Sequence, residues 1–284
     1  MPEPLLSILC ITYNHAPYIR QCLDGFIMQK VNFPIEVLIN DDASTDGTAD
    51  IIREYEQKYP DIIKPLYQTE NQFSKGIPVN WIYNYPRIKG KYFTTCEGDD
   101  YWIDDCYLKD GVMFLEQHKE YNCYAANTIC KKPNSEEPIV NALDYNNIGH
   151  DVSFDNYLYL HTSARMYRNI IDLTASFDPL PCLADSYLWY IYLDKGKVFF
   201  EHKIVSVYRI TGKGIWTNLT KKEQINQNYE ANILANKYFS NKYSVFFWRA
   251  IPKNIILRAI KKIIGIERTM ELLFFFLSKF GKNH

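Results

Sequence analysis

Leu5-Leu6-Ser7-Ile8-Leu9-Cys10-Ile11-Thr12 is a run of apolar and small residues of strand length that stops at Tyr13-Asn14-His15. Lacking alternation of polar and apolar residues, it fits a strand covered on both faces, as at the centre of a parallel sheet. Apolar residues then recur at Tyr18, Ile19, Cys22, Leu23, Phe26 and Ile27 behind Pro17, the spacing of one helix face opened by a proline in its first turn. The unit repeats. Ile35 to Ile39 predicts a second strand ending at Asn40-Asp41-Asp42, Ala43 to Gly47 a turn, and Thr48 to about Lys58 a helix. Ile63 to Gln68 predicts a third strand, Ile77 to Ile88 a helix with Pro78 near its start, and Tyr92 to Cys96 a fourth strand ending at Glu97-Gly98-Asp99-Asp100. Such alternation predicts an α/β fold with a mostly parallel central sheet and helices on both faces.

At 284 residues the chain has room for one large domain, or for a catalytic domain with a tail. Hydrophobic residues at 47% and charged residues at 23% exclude a largely disordered chain. A formal net charge of −1 gives no global attraction to nucleic acid, and none is expected as a partner. The seven cysteines lack metal-ligand spacing, which points to a reducing, cytoplasmic setting. The N-terminus has no basic start, so no signal peptide is expected. No apolar run approaches the roughly 18 residues of a spanning helix.

In open α/β sheets ligands bind beyond the carboxyl ends of the strands, which directs attention to Tyr13, Asp41, Asp42, Asp99 and Asp100. No GxGxxG follows the first strand and no GxxxxGK[ST] occurs, so neither a dinucleotide-binding dehydrogenase nor a P-loop enzyme is supported. A divalent cation bridging carboxylate and diphosphate oxygens would hold phosphates instead, with Asp99 and Asp100 placed as ligands. The plain alternative is a solvated acidic turn or a helix cap, since Asp104 and Asp105 fit the start of the next helix.

Three segments together resemble a known family. Ser7-Ile8-Leu9-Cys10-Ile11-Thr12-Tyr13-Asn14, Asp41-Asp42-Ala43-Ser44-Thr45-Asp46-Gly47-Thr48 and Glu97-Gly98-Asp99-Asp100-Tyr101-Trp102 are similar, in order and spacing, to the N-terminal signatures of family 2 glycosyltransferases, over roughly residues 5 to 120. The resemblance implies the GT-A fold and an inverting transfer from a nucleotide diphosphate donor, a UDP-sugar, to a glycan or lipid-linked oligosaccharide hydroxyl in bacterial surface polysaccharide synthesis. It implies that Tyr13 stacks on the base, Asp42 accepts a hydrogen bond from it, Asp41 holds the loop, Asp99 contacts the ribose and Asp100 binds Mg2+ or Mn2+. Lys75 falls where relatives place a basic or glycine-rich loop near the donor, although a lone lysine is more often solvated. His161 to Arg168 reads as a strand, and a comparable family segment lies beside the acceptor.

Transfer needs a base for the incoming hydroxyl. Asp185 opens a predicted helix ending near Lys195-Gly196, and the family base is the Asp of a Glu-Asp pair there; Ala184 replaces the Glu, and a helix cap is the alternative. Tyr208 to Trp216 resembles a Tyr-Arg-x-His-x-x-Gly-x-Trp element with Thr211 in place of His, which moves contact with metal or diphosphate to Arg209, Lys213 or water or leaves it undone; a flexible glycine loop is the alternative. These departures suggest one rival, an inactive sugar-nucleotide-binding module. A second, a sugar nucleotidyltransferase, needs a glycine-rich basic loop that Thr12 to Tyr18 lacks.

Residues 1–220 are thus expected to form the catalytic domain, with a donor half to about 120 and an acceptor half from about 121, and 221–284 a helical region. From Lys242 onward nine Lys and Arg face only Glu267 and Glu271. Arg258, Lys261 and Lys262 share one arc of a helical projection of Ile255 to Ile264, and Ile266 to Phe280 gives a second amphipathic helix. Packing on the core is one reading; a peripheral anchor on the cytoplasmic face of the inner membrane is the other. Oligomeric state is not legible.

Overall fold

The computed structural model describes residues 2–132, 139–140, 149–155, 157–158, 160–170, 184–212, 214, 219–240 and 242–243. The four apolar runs are strands β1 (Leu6–Thr12), β2 (Ile35–Asp41), β3 (Ile63–Tyr67) and β4 (Tyr92–Thr95), parallel neighbours in the order β3-β2-β1-β4. Helices α1 (Ile19–Ile27) and α2 (Thr48–Lys58) connect the first three.

Successive strand side chains point to opposite faces, and both faces are covered. Leu6, Ile8, Cys10, Val37, Ile39 and Tyr92 pack with Ile19, Leu23 and Phe26 of α1, Ile52 of α2, and Leu108, Val112 and Leu115 of α3 (Tyr107–Gln117). On the other face Phe93 meets Tyr85, Tyr167 and Tyr192 at ring separations of 5.8, 5.1 and 6.2 Å. Each such side chain contributes about 1.5–3 kcal/mol by leaving water.

The second half makes the sheet mixed. After the edge strand β5 (Tyr101–Trp102) come β6 (Tyr121–Lys131), β7 (Ile139–Val140), β8 (Asp151–Val152), β9 (Arg165–Arg168), α4 (Ala184–Lys195) and β10 (Lys197–Arg209). β9 lies antiparallel between β4 and β6, β10 runs parallel to β6, and β5 closes the far edge antiparallel to β10. The expected α/β fold with a mostly parallel sheet is borne out, with β9 as the reversed strand at its middle. Buried Arg168 of β9 ties the halves together. Its Nε and Nη2 donate to the carbonyls of Tyr121 and His118 at 2.8 and 3.1 Å, so the guanidinium serves chain that leaves α3 without helical partners.

Two segments differ from the periodicity. Residues 77–88 form a π-helical turn (Asn80–Asn84) and a 3-10 turn (Tyr85–Arg87) instead of one α-helix. Pro86 has no N–H to donate, and Asn84 Nδ2 is drawn to the Cys10 carbonyl of β1 at 3.1 Å. Residues 161–168 are strand only from Arg165, because His161 caps a 3-10 turn over Thr162–Ala164.

The chain divides into two compact units, Met1–Asn218 and Leu219–His284. In the second, α5 (Lys221–Tyr238) opens with a capping box: Thr220 N–H donates to Glu223 Oε2 at 2.8 Å and Glu223 N–H to Thr220 Oγ1 at 3.3 Å. Among the described residues no helix is long and apolar enough to cross a membrane. The basic amphipathic helices expected within 255–280, and Lys213 and Trp216, lie outside the described residues.

Candidate active site

Parallel pairing brings the ends of β1, β2 and β4 together, and the loops that follow are fastened to one another. Asn14, left-handed at φ 54°, receives a hydrogen bond on its Oδ1 from Thr45 N–H at 2.8 Å and donates its own N–H to Ser44 Oγ at 2.8 Å. His15 N–H donates to Thr48 Oγ1 at 2.8 Å, and Ala16 N–H to Asp46 Oδ2 at 3.0 Å. This fixes Tyr13 with 45% of its surface open, a flat ring available for stacking. Both aspartates of the second loop hold backbone. Asp41 Oδ2 accepts from Ser44 N–H at 3.2 Å, and Asp42 accepts from Gln72 and Phe73 N–H at 2.7 and 3.0 Å. A base contact by Asp42, as expected, would have to use the lone pairs those amides leave. Lys75 lies on the turn that Asp42 pins, exposed and paired with Glu70.

The third loop is the acidic turn Glu97–Asp100. Gly98 is required by close approach, since a Cβ there would sit 2.7 Å from Thr12 Oγ1 and 3.0 Å from His15 Nδ1. Arg209, at the end of β10, clasps the turn from behind. Its N–H donates to Asp100 Oδ1 at 2.9 Å and its Nη1 to the Asp99 carbonyl at 2.6 Å. Its guanidinium also lies over Tyr101 at 4.1 Å and donates to Gln21. Arg209, expected to contact the donor, also organises the turn.

Sequence reasoning missed two histidines. His15 Nε2 stands 3.8 Å from Asp99 Oδ2, and His161 Nε2 stands 3.8 Å from Asp100 Oδ2. The only signal was that each sits where a strand meets a loop. Burial lowers the pKa of His15 against the opposing charges of Asp99, Asp46 and Asp41, and burial followed by the Arg165 charge pushes His161 down to about 3, so both rings favour the neutral form.

The acids move the other way. Asp100, 1% exposed, is raised well above the usual carboxylate range by burial, then by Asp99 and Glu97, against the opposing Arg209 N–H and charge. Glu97 is open to water by surface area yet set deep in protein mass; that setting, then Asp99 and Asp185, pushes it up to about 8, a rise water moderates. Crowded acids facing one guanidinium fit a divalent cation, and Asp100 Oδ2, beside the Oδ1 that Arg209 occupies, is the oxygen to hold it.

A pH dependence follows. Between the ordinary Glu value of 4.5 and about 8 the folded chain holds a proton at Glu97 that the unfolded chain releases, so stability falls as pH rises and levels off above about 8. Asp100 acts in the same sense. The neutral histidines act oppositely, but only up to their ordinary range near 6.5. Without divalent cation, the melting temperature is expected to fall between about pH 7 and 8, and Glu97→Gln to flatten the fall. A parent melting temperature that holds or rises over that span, by calorimetry, would contradict the assignment.

Asp185 sits in the first turn of α4, inside the helix. Fully buried Arg165 fixes that turn: its Nη1 reaches the Asp185 carbonyl at 3.5 Å and its guanidinium lies 4.4 Å over the Trp189 ring, one turn along. Among the described residues, Asp104, Asp105 and Cys106 form the one group of three or more with metal-ligand spacing, but Lys203 and Lys30 already balance its carboxylates at 2.6 and 2.5 Å.

The family description "Glycosyl transferase family 2" matches residues 7–172, more than half of the chain. An uncharacterized protein of Mycobacterium tuberculosis is 33% identical over 218 residues, 74% of this chain and 60% of that protein. The chain thus spans about 60% of the length of the first curated relatives it matches. The putative teichuronic acid biosynthesis glycosyltransferase TuaG of Bacillus subtilis is 33% identical over 115 residues, 40% of this chain and 44% of that one. Among solved structures, S. aureus TarS 1–349 in complex with UDP-GlcNAc superposes with a TM-score of 0.60 at 19% identity, covering 80% of this chain and 65% of that one, a likeness of fold.

Proposed function

Because the chain belongs to glycosyl transferase family 2, we propose that it moves a sugar from a UDP-sugar to a hydroxyl of a bacterial surface glycan or its lipid-linked precursor, inverting the anomeric carbon. The observation that carries this is an exposed ring at Tyr13 and a buried carboxylate at Asp100 on neighbouring strand ends, with the first turn of α4, which holds Asp185, tied by Arg165 to the strand beside β4. TarS with UDP-GlcNAc supports a uridine donor, and TuaG supports a surface polymer as acceptor.

Asp100 would hold Mg2+ or Mn2+, which when bound supplies positive charge to the departing diphosphate. The remaining work falls to the chain. Tyr13 stacks on the base and the fastened loops keep it in place. Asp99 orients the ribose. Asp185 takes the proton of the acceptor hydroxyl as that oxygen attacks, and no second carboxylate is assigned as a covalent nucleophile, so one displacement inverts the centre. The basic segment holding Arg258, Lys261 and Lys262 would bring the enzyme to anionic lipid on the cytoplasmic face of the membrane, where lipid-linked acceptors reside.

Incubation with a panel of nucleotide sugars and lipid-linked acceptors is expected to release UDP only when both substrates are present. Tight UDP binding with no release across the panel would favour an inactive binding module instead.

A further inference from the structure

We propose that His161 Nε2 is a second protein ligand, beside Asp100 Oδ2, for the divalent cation, and that this nitrogen and oxygen pair favours Mn2+ over Mg2+. The inference rests on the metal-dependent reading above and names a residue and an ion that reading leaves open.

Geometry carries it. At 3.8 Å, His161 Nε2 and Asp100 Oδ2 are too far apart for a hydrogen bond, whose N to O distance is about 2.7–3.2 Å. An ion about 2.1 Å from each atom would separate them by about 3.0 Å at a right angle and about 4.2 Å in line, and the observed gap lies between. The carboxylate presents that oxygen because Arg209 N–H occupies Oδ1 at 2.9 Å. The imidazole presents its nitrogen because its other side is occupied. His161 Nδ1 lies 2.7 Å from Ser163 Oγ, which lies 2.9 Å from Ser206 Oγ, itself 2.7 Å from Thr128 Oγ1. This buried hydroxyl chain can accept a hydrogen bond from Nδ1–H and donate its own hydroxyl hydrogens along, leaving the Nε2 lone pair toward Asp100, as outer partners do for metal-bound histidine. The Tyr208 ring, 4.5 Å away, holds the imidazole plane.

A capping role alone would use Nδ1 as acceptor for Ser163 N–H, but at 3.3 Å that contact is longer than the hydroxyl contact. The choice of ion follows from the donors. Mg2+ favours an all-oxygen octahedron, whereas an imidazole nitrogen favours a first-row transition ion.

The test uses the full chain with Mn2+ and UDP. Electron spin-echo spectroscopy of bound Mn2+ is expected to show coupling to a histidine nitrogen that changes on labelling with 15N-histidine, a readout in the parent that needs no substitution. His161→Ala should remove the coupling and weaken Mn2+ binding at least about tenfold, with a smaller change for Mg2+, while His15→Ala keeps the coupling. Bound Mn2+ without nitrogen coupling, or coupling that survives in His161→Ala, overturns the inference and leaves the metal-dependent reading standing. Failure of the parent to bind Mn2+ with UDP overturns both.

Discussion

Asp185→Asn is expected to bind UDP as the parent does and to lose about a hundredfold to ten-thousandfold in turnover, the usual cost of removing a general base. The amide has nearly the shape of the carboxylate and preserves the first turn of α4, so Arg165 keeps its contact with the residue 185 carbonyl and its place over Trp189. What the amide lacks is the capacity to take the acceptor's proton. Calorimetric UDP affinity beside steady-state turnover separates the two roles. Turnover within a few-fold of the parent would make Asp185 a helix-opening residue and no more.

Asp100→Ala should cost at least about a thousandfold in transfer, since charge stabilisation by a bound cation is worth several kcal/mol and each 1.36 kcal/mol is tenfold in rate. The alanine variant also strands Arg209 N–H, which now donates to Asp100 Oδ1, at about 1–3 kcal/mol for a buried donor left without a partner. Asp100→Asn keeps an oxygen for that amide and removes the charge, so it isolates the cation effect. Both should lose their response to added Mn2+ while melting cooperatively. Full activity in Asp100→Asn, or a parent indifferent to chelator, would remove Asp100 from the reaction.

The donor half of the fold was legible because its strands announce themselves as apolar runs, each ending in polar residues, with helix spacing between. Periodicity could not anticipate the π-helical turn at Asn80–Asn84, where a side-chain bond to Cys10 and the missing N–H of Pro86 override local preference. Nor could it place β9 between β4 and β6, a long-range pairing that no local pattern encodes. At the site, Tyr13, Asp99, Asp100 and Asp185 were visible as strand-end or helix-opening residues. Glu97 and the two histidines were not, because their importance comes from what the fold sets against them. The loop residues Asn14, Ser44, Thr45, Asp46 and Thr48 were legible as a signature, yet their side chains are spent on one another and on the backbone.

The grip of Arg209 on Asp100 spans 109 residues, and β5, which directly follows the acidic turn, pairs with Ser206 and Val207 of the same late strand. During synthesis at roughly 5–20 residues per second, the ribosome therefore delivers the acidic turn about 5 to 20 s before the strand that shapes it. A nascent chain in that interval carries the acidic turn but lacks the Arg209 N–H that holds Asp100 Oδ1 and the strand that pairs with β5. Translation products ending before residue 209 would then lack the contacts that shape the acidic turn, whatever the state of the loops after β1 and β2.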